Sequence, residues 1–380
     1  MTLRLFATFL LMLIVQGVSA QDPDQSNAFN SAWNEYVEAV QSGQNEPAIE
    51  AARKVLGIGK DIFSANDERI AVLTQNYGSA LLAGEQKKKA REQLELALDL
   101  IEAQHGEDST KLISVLGELA DASGGVGDDF KQMKFYKRAL KITADEYGDS
   151  SQEYGALAFR AARNVYEQSH SQIGKKYMEA AQEIFLAEFG EADPRVGMAY
   201  LYLGKMRFSK RQYKQAAGQL EAALPSFGGE SPDEKSIRLI TRALLVQSYE
   251  SWGKSELATP HCVAIGSESQ IDPDQDYKPI FRIAPQYPGE LLVRGVEGFV
   301  DFEFTIDENG FVQNPVVIAS VPDRLRDRGG LVGNVRKDDL SFDAAATDAI
   351  ERFRYAPRFV DGEAVPVDGV KTRISFQLVD

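Results

Sequence analysis

The feature that most constrains this chain is a period. Gly106, Gly148 and Gly190 sit in His-Gly-Glu, Tyr-Gly-Asp and Phe-Gly-Glu, each 42 residues from the next. Phe63-Ser64 lies one period earlier, and Phe227-Gly228 a slightly short period later. Other positions keep the same phase. Gly78, Ala120, Ala162 and Gly204 form one column of small residues; Ala97, Ala139, Ala181 and Ala223 form another. Leu94, Tyr136, Met178 and Leu220 form a large apolar column. From Ser26 to about Trp252 the chain reads as helix after helix. Small residues let the two helices of a unit approach closely, and large ones plug the gap to the next unit. No unit buries its apolar face alone, so the units must stack into a solenoid.

This pattern resembles tetratricopeptide repeats of the longer kind found in kinesin light chains. Four clear repeats are expected between about Ala65 and Phe227. A degenerate hairpin, Asn27 to Phe63, precedes them, and a capping helix, Pro232 to Trp252, follows. Gly253 to Lys278 loses the period and gains Pro, Ser and Asp, which reads as a linker.

A different period begins further on. In Gly298 to Ile306, Val300, Phe302, Phe304 and Ile306 alternate with Asp301, Glu303 and Thr305, the signature of a half-buried strand. Asn309-Gly310 is a hairpin signal before a second apolar run, Phe311 to Ala319. Phe342, Ala345, Ala346, Ala349, Ile350 and Phe353 recur at helical spacing, with Ser341 as N-cap. Val370 to Leu378 alternates again. The expected order is strand, strand, helix, strand. The fold class is therefore multidomain: an all-α solenoid followed by a small α+β domain. The predicted boundaries are 1–20, 26–252, 253–278 and 279–380.

Several of these residues carry a second resemblance. Pro285-Gln-Tyr-Pro288, Gly298-Phe-Val300, Ile306-Asp-Glu-Asn-Gly310, Phe342-Asp-Ala-Ala-Ala346, Phe353-Arg-Tyr-Ala-Pro357 and Ile374-Ser-Phe-Gln-Leu378 resemble the C-terminal domain of TonB-family proteins in order and spacing. The match covers about the last quarter of the chain. The charged, Gly-containing stretch Pro322 to Leu340 is longer than this family usually has between its second strand and its helix.

At the other end, Arg4 precedes an apolar core from Leu5 to Val15, and Val18-Ser-Ala20 is a small-residue cleavage site. This reads as a signal peptide cleaved after Ala20, which places the mature protein in the periplasm. The alternative is an uncleaved segment anchored in the inner membrane. Cys262 is the single cysteine, so no internal disulfide forms. It is read as an inert thiol, with an intermolecular bridge as the alternative. The formal charge is −15, which disfavours indiscriminate nucleic-acid binding.

Enzyme chemistry finds no foothold. His105, His170 and His261 are scattered, and none stands at metal-ligand spacing to another His or Cys. Gly57-Ile-Gly59-Lys60 and Ser123-Gly-Gly-Val-Gly127 match no full phosphate loop and read as helix ends or turns. No catalytic, cofactor or metal site is expected.

The candidate site is a partner-binding one: Pro285, Tyr287, Pro288, Lys371, Thr372, Arg373, Ile374, Ser375, Phe376 and Gln377. Pro285, Tyr287 and Pro288 either form a structural lead-in that packs on the sheet or touch a partner, as the corresponding motif does in TonB proteins. Lys371 and Arg373 either protect an edge strand by charge or steer a partner strand onto it. The resemblance implies capture of an extended segment of an outer-membrane TonB-dependent transporter by strand addition. The alternative is a periplasmic repeat scaffold for envelope assembly, its TonB-like domain a docking module without energy transduction. Pairing of two copies through the same edge would give a homodimer.

Overall fold

A computed structural model describes residues 23–124, 129–169, 173–269, 277–325 and 342–378. The expected signal segment, Ser341, His170 and positions 326–340 lie outside these. The chain divides into two compact units, Met1–Gly190 and Glu191–Asp380.

In the first unit the described helices are α1 (Pro23–Gln41), α2 (Asn45–Ile62), α3 (Glu68–Ala83), α4 (Lys87–His105), α5 (Leu112–Ser123), α6 (Asp129–Tyr147), α7 (Gln152–Ser169) and α8 (Lys175–Phe189). They pair in sequence as antiparallel hairpins, and the periodic glycines explain where each hairpin stops. Gly106, Gly148 and Gly190 take φ of +86°, +91° and +77°, a left-handed backbone in which a side chain is strained. The next helix then starts on a polar side chain in the same phase. Asp67 Oδ1 accepts from Arg69 N (2.9 Å) and Ser151 Oγ from Tyr154 N (3.1 Å), while Ser109 Oγ accepts from Lys111 N (3.3 Å) in the turn before α5. The packing columns are physical. A Cβ on Gly78 would stand 2.7 Å from Leu94 Cγ, so the small column lies directly on the large one. Ala97, Ala139 and Ala181 are fully buried between paired helices.

The second unit continues with α9 (Pro194–Ser209), α10 (Tyr213–Ala223), a 3-10 turn (Leu224–Phe227), α11 (Pro232–Trp252) and α12 (Ser255–Glu268). Asp193 and Gly204 repeat the pattern: Asp193 Oδ1 accepts from Arg195 N (2.8 Å), and a Cβ on Gly204 would stand 2.7 Å from Leu220 Cγ. α12 lies inside the stretch read as a linker, 253–278, which therefore carries a helix of its own. Ala258, Cys262 and Ile265, at helical spacing, bury against Leu245, Val246 and Tyr249 of α11. Pro260 is exposed and forgoes only its own backbone donor. The expected capping helix is thus half of a further hairpin.

The sheet domain follows: α13 (Gly289–Arg294), β1 (Val296–Ile306), β2 (Val312–Leu325), α14 (Asp343–Ile350), β3 (Arg358–Val360), β4 (Glu363–Val365) and β5 (Val367–Phe376). The three long strands form an antiparallel sheet in the order β2-β1-β5; β3 and β4 form a separate hairpin that the sequence pattern did not suggest. β2 runs six residues past the expected Ala319, into the stretch expected to be loop. The β1–β2 turn is built on Asp307, whose Oδ1 accepts from Asn309 N (2.9 Å) and Phe311 N (2.8 Å). Only Gly310 takes a positive φ, +83°, and a Cβ there would strike Tyr355 O at 2.1 Å. One sheet face packs Val300, Phe302, Phe304, Ile374 and Phe376 on Phe342, Ala346, Ala349 and Ile350 from α14 and its approach. The fold is a helical-repeat solenoid followed by a small antiparallel sheet domain.

Candidate functional site

β5 is the edge of its sheet: β1 pairs with one side, and among the described residues no strand pairs with the other. The pairing is regular. Gly298 to Phe304 match Phe376 to Val370 in unbroken register, and the one shift falls after Phe304. The opposite edge differs. The β1–β2 ladder shifts register at three places, and Asn314 takes a φ of +50°. Bulges twist an edge and interrupt its row of donors and acceptors, so β2 is a poor template for another strand and β5 a good one.

Side chains on β5 divide by face. Ile374 and Phe376 are buried in the sheet core, while Lys371, Arg373 and Ser375 are exposed on the other face and Thr372 is half-buried. Gln377 lies just beyond the strand and is exposed. Arg373 makes a forked pair with Asp301 on β1 (Nε–Oδ1 2.7 Å, Nη2–Oδ2 2.8 Å) and stacks 3.7 Å from the Phe299 ring centroid. The hydrogen bonds from Arg373 hold the Asp301 carboxyl below the usual range. Lys371 Nζ lies 3.4 Å from Glu303 Oε2. Both charges are therefore spent across the sheet face on β1, in solvent-exposed pairs that add little stability. They do not extend from the free edge.

Tyr287 sits at the end of this edge. Its ring meets Phe342 and Phe376 edge-on at 5.6 and 5.5 Å, and its hydroxyl donates to Val296 O. Burial pushes that hydroxyl's pKa up. Pro288 is the N-cap residue of α13, with φ −61°, and Pro285 is half-buried. The structure brings Tyr287 against Phe376 and gives the lead-in a packing role.

Sequence reasoning missed a second constellation. Arg354, in the middle of Phe353-Arg-Tyr, is 1% exposed. Its Nη1 lies 2.5 Å from Glu250 Oε1 of α11, and its Nη2 donates to Thr259 Oγ1 of α12 and Asn309 O of the β1–β2 turn, each at 3.0 Å. The guanidinium carbon stands 3.6 Å from the Phe311 ring centroid. Backbone bonds extend the junction: Ile280 N to Arg354 O (2.7 Å) and Arg354 N to Phe281 O (3.0 Å). Arg354 thus bolts the sheet domain to the last helical hairpin. The available signal was a cation flanked by two aromatic residues in an apolar run. Cys262 is buried beside this junction, and desolvation pushes its thiol up to about 11. At neutral pH it is a protonated, inert thiol.

Comparison with known proteins bears on both parts of the chain. No family model matches it. A stretch is 31% identical over 98 residues to protein TonB of Pseudomonas aeruginosa, covering 26% of this chain and 24% of that protein. The chain therefore spans about a quarter of the length of the curated relative it matches. Among solved structures, the apo form of RapI aligns at a TM-score of 0.50 and 15% identity over 72% of each chain. A signal-transduction ATPase from Pyrococcus horikoshii with a tetratricopeptide repeat sensor aligns at 0.50 and 15% identity, covering 65% of this chain and 37% of that one. Nearly identical tetratricopeptide-like repeats of a Podospora anserina kinesin light chain align at 0.46 and 18% identity, covering 52% and 94%. At these identities the two alignments at 0.50 show the fold alone.

Proposed function

We propose that this chain is a periplasmic TonB-like binding protein that takes up an extended segment of a protein partner as a fourth strand beside β5. The coarser part, a repeat scaffold for protein–protein interaction, is what helical repeats joined to a TonB-like stretch suggest. The finer part rests on one observation: β5 offers an unbroken, unbulged edge from Val370 to Phe376. Main-chain pairing along such an edge supplies affinity, and neighbouring side chains supply selectivity. An outer-membrane TonB-dependent transporter is the partner class that the TonB likeness supports.

A second reading has its own observation. The buried Arg354–Glu250 contact fixes the sheet domain to α11. That favours a docking module carried by a scaffold, without energy transduction. No helix among the described residues is long and apolar enough to cross a membrane. Mass spectrometry of the native N-terminus tests the periplasmic assignment. A protein beginning at Gln21 is expected; intact Met1 in the membrane fraction would restore an anchored transducer.

Strand addition is tested with two proline variants. Along a strand, consecutive N–H groups point to opposite sides. One of Ser375→Pro and Ile374→Pro therefore breaks the ladder to β1, and the other removes a donor from the free edge. Circular dichroism identifies the variant that stays folded. That variant should lose binding to extended segments of the host's outer-membrane transporters, read by fluorescence anisotropy. Binding equal to the parent's would exclude strand addition at β5. Sedimentation at two concentrations shows whether self-pairing already occupies the edge.

A further inference from the structure

From Pro194 to Leu220 the sequence has six cations and no carboxylate, in a chain of net charge −15. Arg195 pairs with Asp193 at the start of α9. Lys205, Arg207, Lys210, Arg211 and Lys214 gather toward the other end, where α9 turns into α10. Lys210 and Arg211 are exposed in that turn, and Arg211 has a φ of +58°. The rings of Phe208 and Tyr213 hold the turn together at 5.3 Å. Lys214 Nζ stands 5.7 Å from the Trp252 ring centroid on α11.

Phe208 is also one wall of a cleft of about 740 Å³. Gln247 and Ser251 of α11 and Lys278 to Arg282, the chain entering the sheet domain, also line it. Gln247 Nε2 donates to Ile280 O (3.2 Å), and Ile280 N and Phe281 N both bond Arg354 O, so this entering stretch is held in place. Lys278 and Arg282 are exposed on it. Neither these two nor Lys210 and Arg211 have an ion-pair partner among the described residues. The cleft thus combines aromatic side chains, amide and hydroxyl groups and two exposed cations, Lys278 and Arg282, while the Lys210–Arg211 turn follows its Phe208 wall in the chain.

We propose that this cleft binds an acidic, aromatic-containing peptide segment of a partner protein. Charge complementarity selects the acidic character: carboxylates reaching Lys278, Arg282 and the Lys210–Arg211 turn meet cations that have no ion-pair partner among the described residues. The concave shape selects a chain that inserts side chains. A flat anionic lipid surface would reach the rim and leave Phe208 and Phe281 unused. The site is separate from the β5 edge and does not depend on strand addition.

The test uses the full chain and a short labelled peptide of Asp, Phe and Thr, with its Lys-for-Asp counterpart as control. The acidic peptide should bind and weaken as salt rises, because exposed charges are screened. Lys278→Glu with Arg282→Glu should weaken it on the order of tenfold or more. Lys278→Ala with Arg282→Ala should weaken it in the same direction with an unchanged thermal midpoint, which separates lost charge from lost folding. Lys137→Glu, an exposed change on α6, should leave binding unaltered. The folded proline variant that blocks β5 should still bind the acidic peptide, so failure here and failure of strand addition read out separately. Equal binding of both peptides, parental affinity in the doubly substituted proteins, or retention only by phosphatidylglycerol vesicles would each overturn the proposal.

Discussion

At the scale of single residues, the Arg354–Glu250 contact carries the largest expectation. Both side chains are almost wholly buried, 1% and 8% exposed. Removing one leaves the other charged and unpaired in a low dielectric, which costs about 3–5 kcal/mol. Arg354→Ala and Glu250→Ala should each destabilise by that order. Arg354→Ala with Glu250→Ala should cost less than the sum, because no charge is left stranded. Denaturant titration of the three variants checks this, and strict additivity would show that the pair is not coupled. The capping aspartates give a pH prediction. Hydrogen bonds from Arg69 and Arg195 hold the Asp67 and Asp193 carboxyls below their usual range. A lowered folded value means the contribution is complete above the ordinary aspartate range and is lost as pH falls through the folded value. Asp193→Ala should cost about 1 kcal/mol near neutral pH, and its deficit relative to the parent should shrink on acidification. Thermal midpoints at neutral and acidic pH test this. A deficit that persists at acidic pH would mean the ionised carboxylate is not what caps α9.

At the scale of elements, the period makes its own prediction. Ala139 and Ala181 are buried where paired helices touch. Replacing either with Leu should overpack the contact and cost on the order of 1–3 kcal/mol. Lys137, exposed on α6, should tolerate replacement with a much smaller shift. Equal shifts at all three positions, read from thermal midpoints, would mean the packing columns are misassigned. The helices of α3 to α10 were legible because each repeats the small and large positions of its counterparts 42 residues away. α12 was not legible: Ala258, Cys262 and Ile265 stand 42 residues after Ala216, Leu220 and Ala223, but a small residue replaces the large one and a large one the small, Pro260 intervenes, and the helix is recognisable only from the partner that buries it. The sheet was legible from alternation in β1 and β5. The end of β2 was not, because polar and proline residues there obscure the pattern, and hydrogen bonding to β1 extends the strand. Of the candidate site, the β5 edge could be read from sequence. The inward packing of Tyr287 and the pairing of Lys371 and Arg373 with β1 depend on register, which no single strand reveals.

At the scale of the molecule, two compact units sharing one chain imply two sources of cooperativity. Scanning calorimetry should depart from a single two-state transition. Ala139→Leu should lower the transition of the first unit and Arg354→Ala that of the second. One transition shifted alike by both would show that the units unfold together. The strand order β2-β1-β5 has a consequence for synthesis. Contacts within a helical hairpin join residues close in sequence and form early. β1 also gains β2 soon after it is made. Its other side must wait for β5, whose Arg373 pairs with Asp301 72 residues earlier. During that interval the central strand, with Phe302 and Phe304 on its core face, is itself an unpaired edge in a half-made sheet. A nascent chain paused there is open to the wrong strand, and prompt arrival of β5 is what protects it from misassembly.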